Sequence, residues 1–217
     1  VWFLLRLVLL FAFKPPAVPA ADILLALLSG LHRDIFAAIA ETLPLLGWML
    51  IVPNRRFGGG CHRVVFLGGC WVFWFAQVFL LFVEIFFFEE FKSRFNPVAV
   101  DYLLYPREVF INIWESYHVG VILAICLVLS LGWLFAARRL FKRMWEQPFP
   151  VKSRLLYLVA GIALAAALAP TLNLKGAHVS NDRTLNEIAN NGALSFIAAA
   201  WTHNLDYAAF YQTLPKD

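Results

Sequence analysis

Charge and cysteine are both scarce in this chain. Lys, Arg, Asp and Glu make up 15% of its 217 residues, against 61% apolar residues. A soluble domain is usually about one quarter charged and one half apolar, so an ordinary soluble domain is excluded. Cys61, Cys70 and Cys126 are an odd number of cysteines. Two of them lie inside apolar runs, which argues against a disulfide framework and for small apolar fillers. The five histidines are scattered, with no HExxH, no Cys/His cluster and no close pair. No Ser/His/Asp order is convincing. Gly58–Gly60 lacks the Lys-Ser/Thr that completes a phosphate loop, and it follows no strand. The residues therefore form no recognisable hydrolytic, metal or nucleotide centre. The net charge of +4 does not imply nucleic acid, because half of the bases sit in two short loops between apolar runs.

What is present is length of apolar sequence. The mean hydropathy is +0.71. Four runs are long enough for a membrane, which needs ~20 residues per helix: Ile35–Val52, Val64–Phe88, Val119–Ala137 and Leu155–Leu172. A fifth, Val1–Phe13, is short. It reads as a truncated first spanning helix, or alternatively as a signal-peptide core followed by Lys14-Pro15-Pro16 and small residues; Arg6, which interrupts the run, favours the helix. The chain start and the turn-like Leu214–Asp217 both read as cut points. A short apolar segment, Ile23–Leu28, precedes Gly30–Asp34, where the chain is expected to come into the membrane. The expected fold class is all-α: a polytopic bundle of about five spanning helices with interfacial and juxtamembrane helices. Residues 1–172 form the membrane domain and 173–217 a linker.

The loop charges orient the bundle. Pro53–Arg63 and Arg138–Arg154 hold nine of the eighteen Lys and Arg residues and a single acid, Glu146. Such loops stay on the cytoplasmic side, held against the anionic inner leaflet. Glu89–His118 has five acids and three bases, and Asn173–Asp217 has four and three. The N-terminus is thus expected inside and the tail outside.

Local signals refine this picture. Gly161, Ala165 and Ala169 recur at the spacing that lets helices approach closely in lipid. Trp48, Trp114, Trp133, Tyr117 and Tyr157 fall near span ends, as interfacial aromatics do. Pro106 suits a first helical position. Beyond it Phe110, Ile113, Trp114 and Tyr117 form one face, with Glu108, Asn112 and Glu115 opposite. That helix is expected to lie on the outer surface with Ile113 turned inward, or to pack on the spans. In the tail, Ser180, Asn181 and Asp182 are cap candidates for a helix carrying Leu185 and Ile188. Asn190-Asn191-Gly192 stops it, and Ser195–Thr202 forms a second. Leu205, Tyr207, Phe210 and Tyr211 follow as anchors, so the tail is expected to dock on the membrane surface or on a following domain.

Ionisable groups within spans are functional candidates by default. Glu41 lies deep, before Pro44, and Glu84 lies one turn from the outer end, within reach of headgroups. Arg33 suits a lipid phosphate, or more simply pairs with Asp34 or Glu89. With Lys92 and Arg94 these six residues, Arg33, Asp34, Glu41, Glu84, Lys92 and Arg94, are the candidate contacts for a lipid headgroup or an anionic, lipid-linked substrate. No catalytic or metal-binding residue is assigned.

The stretch Glu84–Tyr117 carries Arg94-Phe95-Asn96, Val98–Pro106, Glu108-Val109 and Asn112–Tyr117. The tail carries Leu185–Gly192, Ser195-Phe196, Leu205-Asp206-Tyr207 and Phe210-Tyr211. Together with Gly30–Asp34 these resemble the membrane region of lipoteichoic acid synthase-like proteins. Those are phosphoglycerol transferases and relatives in the alkaline phosphatase and sulfatase superfamily. The resemblance implies five spans, a linker of short helices and a large extracytoplasmic catalytic domain with a threonine-type nucleophile and a divalent metal, commonly manganese. No motif of that domain is present, so no catalytic residue transfers. The expected function is membrane anchor and linker of such a transferase in a bacterial cytoplasmic membrane. It would act on lipid-linked or envelope glycan substrates, with the bilayer and its own catalytic domain as partners. Two alternatives stand: the anchor of a sulfatase or phosphodiesterase-type hydrolase, and a non-catalytic scaffold or small transporter. A transporter would show paired broken helices or an internal repeat, and the sequence has neither.

Overall fold

The computed structural model describes residues 1–16, 18–146, 149–173 and 176–202, and among these there is no strand. The helices are α1 Trp2–Phe13, α2 Ala20–Ile51, α3 Asn54–Phe57, α4 Gly60–Phe91, α5 Pro97–Leu104, α6 Pro106–Ser116, α7 Val119–Glu146, α8 Val151–Leu168, α9 Arg183–Ala189 and α10 Gly192–Trp201. Of these, α2, α4, α7 and α8 are long and apolar enough to cross a membrane. Only 6% to 28% of their most apolar windows is buried within the protein. The remainder is apolar surface that water would not tolerate and lipid covers at no cost. The chain is an all-α membrane helix bundle. Its two ends are distinct: one carries the Arg-rich loops, and the other carries α5, α6 and the tail.

The four expected spans are present, and one boundary differs greatly. Helix α2 begins at Ala20, not at Ile35, and absorbs Ile23–Leu28 and Gly30–Asp34 without a break. Gly30 reads as a punctuator in sequence, but here it makes room: a Cβ at this position would lie on the Arg6 guanidinium. Pro44 is accommodated inside the same helix. Helix α1 has 12 residues, about 18 Å of rise, and packs against α2, α4 and α9.

The pairs α2–α8 and α4–α7 form the main helix contacts. Gly161 lets α8 close on α2: a Cβ there would sit 3.0 Å from Leu43 Cδ2 and 3.5 Å from Leu46 Cδ1. In α4–α7, Trp74 lies against Trp133 with ring centroids 4.6 Å apart.

At the Arg-rich end, Arg154 ties three segments together. Its guanidinium donates to the carbonyls of Phe149 (2.8 Å), Met49 (3.0 Å) and Val52 (2.9 Å), and to Asn54 Oδ1 (2.6 Å). It also lies 4.2 Å from the centre of the Phe57 ring. The carbonyls ending α2 have no partner within their own helix, and Arg154 supplies it. Beside this knot Val52, Phe57, Phe66 and Trp145 form a buried cluster.

Replacing Gly161 by Leu forces the α2–α8 pair apart. The expected cost is ~1–3 kcal/mol, the usual penalty for overpacking, read as a lower midpoint of unfolding in mixed micelles. Gly132→Leu is the control: a Cβ there meets nothing within 4 Å, and the midpoint should hold.

Candidate functional site

The tail ends of α1, α2 and α4 surround a cluster of buried charges. Arg6 on α1 and Glu84 on α4 are 0% exposed, Arg94 just beyond α4 is 1% exposed and Asp34 on α2 is 7% exposed. Arg6 pairs with Asp34 at 2.7 Å, and Arg94 pairs with Glu84. Two positive and two negative side chains thus balance in an apolar setting, where an unpaired charge would be very costly.

The tail completes the cluster. Arg6 also donates to the carbonyls of Ile188, Asn190 (3.0 Å) and Gly30 (3.0 Å). Arg94 donates to the Glu187 carbonyl (3.3 Å) and the Ile188 carbonyl (3.3 Å), while its backbone N–H donates to Glu187 Oε2 (3.0 Å). The carbonyls ending α9 are therefore satisfied by two arginines from the bundle rather than by water. Asn191 turns the chain: its side-chain amide donates to Asp34 Oδ1 (2.9 Å), and its oxygen caps α10 by accepting from the Leu194 N–H (3.2 Å). Gly192 follows, and a Cβ there would lie on the Glu84 carboxylate.

Local chemistry sets each element in place. Helix α4 ends at Lys92, whose φ of 49° makes it the only non-glycine residue with positive φ among the described residues. That left-handed turn swings Ser93 and Arg94 back under α4 to meet Glu84, ten residues earlier. Asn96 then caps α5 by accepting from the Val98 N–H (2.9 Å), with Pro97 at the first helical position. In the tail, Asp182 caps α9 through the Leu185 N–H (2.8 Å). Asn186 braces the loop by accepting from Val179 and Ser180. Asn190 Oδ1 takes the Ala177 N–H (2.7 Å). Leu185, Ile188 and Ala189 then bury against Leu5, Leu9 and Phe88.

The six sequence candidates separate. Asp34, Glu84 and Arg94 share the cluster. Arg33 stands apart and donates to the Asn173 carbonyl (3.1 Å); it pairs with neither Asp34, which Arg6 holds, nor Glu89. Glu84 does not reach toward headgroups: Arg94 and Gly192 enclose it. Lys92 is exposed, donates to the Glu89 carbonyl (2.7 Å) and lies 4.5 Å over the Phe13 ring. Glu41 is half-buried near Gln77 and Trp2, outside the cluster. Sequence reading missed Arg6 as a partner, and it missed the tail groups Glu187, Asn190, Asn191 and Gly192. The signal was present in Arg6 itself, since a charge inside an apolar helix needs a counter-charge. The tail docks on the spans, which is neither of the two surfaces expected for it; its expected anchors Leu205, Tyr207, Phe210 and Tyr211 lie outside the described residues.

This arrangement couples the tail to the spans through two ion pairs and the tail carbonyls. It contains no nucleophile beside a base. Among the described residues no group of three or more His, Cys, Asp or Glu side chains stands close enough to hold a metal ion. The manganese implied by the resemblance therefore has no ligand set in them. No protein-family model matches the chain, and no solved structure matches it.

Asp34→Ala leaves Arg6 buried without its counter-charge and should destabilise the fold by ~3–5 kcal/mol. Combining it with Arg6→Met should recover most of that loss. Unfolding midpoints of the two single variants and the double variant measure the coupling; additive losses would show that the pair does not interact.

Proposed function

We propose that this chain is the membrane anchor and juxtamembrane linker of a lipoteichoic acid synthase-like phosphoglycerol transferase. It sits in a bacterial cytoplasmic membrane with the Arg-rich loops inside and the tail outside. One observation carries the proposal. Stretches that bear the resemblance and lie far apart in the chain meet: Arg94-Phe95 touches the tail at Leu185–Gly192 and at Ser195-Phe196. Arg94 holds Glu84, Glu187 and Ile188. Phe95 packs edge-on against Phe196, with centroids 6.1 Å apart. Asn96 starts α5. Asn190 and Asn191 close α9 and open α10 against Arg6 and Asp34. A tail that only connects would not need two arginines drawn from the bundle. A tail that must hold a domain at a fixed height and angle over the lipid would.

On this reading phosphoryl transfer takes place in a domain beyond the tail. The residues of this chain bind lipid, set orientation and bring the lipid-linked substrate within reach. Transfer needs a nucleophile placed beside a charge-stabilising group; the cluster offers no nucleophile, and both its arginines are already paired with carboxylates. Residues 1–217, purified in detergent with phosphatidylglycerol and manganese, should show no release of diacylglycerol, while the full-length gene product should. Turnover by residues 1–217 above a metal-free control would overturn the proposal. So would a coding sequence with no nucleophile and metal ligands after Asp217.

The orientation is tested in intact cells after Cys61, Cys70 and Cys126 are replaced. A Ser116→Cys variant should react with a membrane-impermeant maleimide, and an Arg55→Cys variant should not. Reaction at residue 55 would reverse the topology.

A further inference from the structure

A cavity of about 460 Å³ opens between the tail-end halves of α4 and α7 and the helix α6. Its floor is a single stripe of α4, including Phe79, Phe82, Phe86 and Phe87. These recur at three and four residues, the spacing of one helix face. From Phe79 to Phe91 the stripe rises about 18 Å, close to the depth of one leaflet, half of the ~30 Å hydrocarbon core. The roof is the apolar side of α6, through Phe110, Ile113 and Tyr117. Ile113 is 42% exposed, so α6 covers the groove without filling it. Tyr117 stands against Phe86 with centroids 4.4 Å apart.

The groove has a direction. Its deep end is hydrocarbon alone, and its mouth carries Glu90, Asn112 and Ser116. Glu90 is the one charged side chain among the described lining residues, and Glu89 adjoins it in the chain. The Tyr117 phenol at the mouth is pushed above its usual value, first by burial and then by Glu89, Glu90 and Tyr102. Glu90 in the lining gives the mouth its negative charge. An apolar slot one leaflet deep, open to lipid and ending at a carboxylate, matches a zwitterionic phospholipid with a primary ammonium: one acyl chain inside and the ammonium, with its N–H donors, at the carboxylate. A second copy of this chain would have to present a single narrow apolar ridge. A soluble ligand would meet almost no polar partner below the rim.

We propose that this groove binds one acyl chain of a phospholipid whose headgroup ammonium pairs with Glu90. The site is distinct from the buried charge cluster, and it stands whether or not the chain anchors a transferase. Filling the groove would fix α6 against α4 and α7, and so hold the interfacial segment that lies beside the tail.

The test uses the purified chain in phosphatidylcholine nanodiscs doped with acyl-chain spin-labelled phosphatidylethanolamine, phosphatidylcholine or phosphatidylglycerol. Electron paramagnetic resonance reads the motionally restricted fraction. Phosphatidylethanolamine should be favoured over phosphatidylcholine about fivefold, the selectivity of a partly exposed ion pair worth ~1 kcal/mol. Glu90→Gln should remove that preference while leaving restricted lipid in place. Ser116→Trp, which blocks the mouth from a helix with no buried residue, should remove the restricted component itself; Asn112→Trp repeats the test from the neighbouring position. Phosphatidylglycerol bound as well as phosphatidylethanolamine would overturn the headgroup assignment. Restricted lipid unchanged in both Trp variants would overturn the site.

Discussion

A guanidinium inside an apolar helix must be answered by an anion, and Arg6 is answered by Asp34. Everything at the tail end of the bundle is arranged around that requirement. Arg6 has more donors than one carboxylate can use, and its two terminal nitrogens also reach the carbonyls of Gly30, Ile188 and Asn190. Two of these belong to the tail, so the charge that α1 brings into the bundle draws the tail down onto it. The second pair, Arg94 with Glu84, repeats the device from α4 and takes its spare acceptors from the same turn of α9. Both arginines take acceptors from α9 in addition to their carboxylates. The buried ion pairs and the docked tail are one structure rather than two.

Two glycines allow it. Gly30 admits the Arg6 side chain to α2, and Gly192 admits α10 to the Glu84 carboxylate. In both places any side chain would occupy the position of a charged group. The opposite end of the bundle is built with less. Arg154 alone gathers the end of α2, the loop after it and the start of α8, and makes no salt bridge among the described residues. From Asp34 to Val52 helix α2 rises about 27 Å, so the two arginine-centred knots stand roughly one hydrocarbon thickness apart. Arginine suits both places because its planar fork serves several carbonyls at once.

The spans were legible because hydropathy is a one-dimensional property. Val64–Phe88 and Val119–Ala137 fall within the observed helices, and Leu155–Leu172 matches α8 with the short 3-10 turn that continues it. Caps were legible for the same reason: Asp182 and Pro106 act within a few residues of themselves. The close approach of α8 through Gly161 was legible from small-residue spacing. The start of α2 was not, since a glycine that makes room for a distant side chain looks like a glycine that breaks a helix. The fate of Glu84 was not legible either. Its distance along the helix placed it at the lipid surface, but its neighbours are Arg94, which returns through a left-handed turn, and Gly192, more than a hundred residues later. Arg6 was visible as an anomaly. Its partners lie 24 to 184 positions away, beyond any periodic pattern.

Buried charge locks the tail to the spans. Amide hydrogen exchange across Arg183–Trp201 reads this directly, in the wild-type chain and in Asp34→Asn held in the same micelles. Wild-type α9 is expected to exchange as slowly as α1 and α2. In Asp34→Asn, exchange in α9 should accelerate by orders of magnitude while α8 near Gly161 keeps its protection. A wild-type tail that exchanges freely, or a tail whose protection survives the loss of the Asp34 charge, would contradict it.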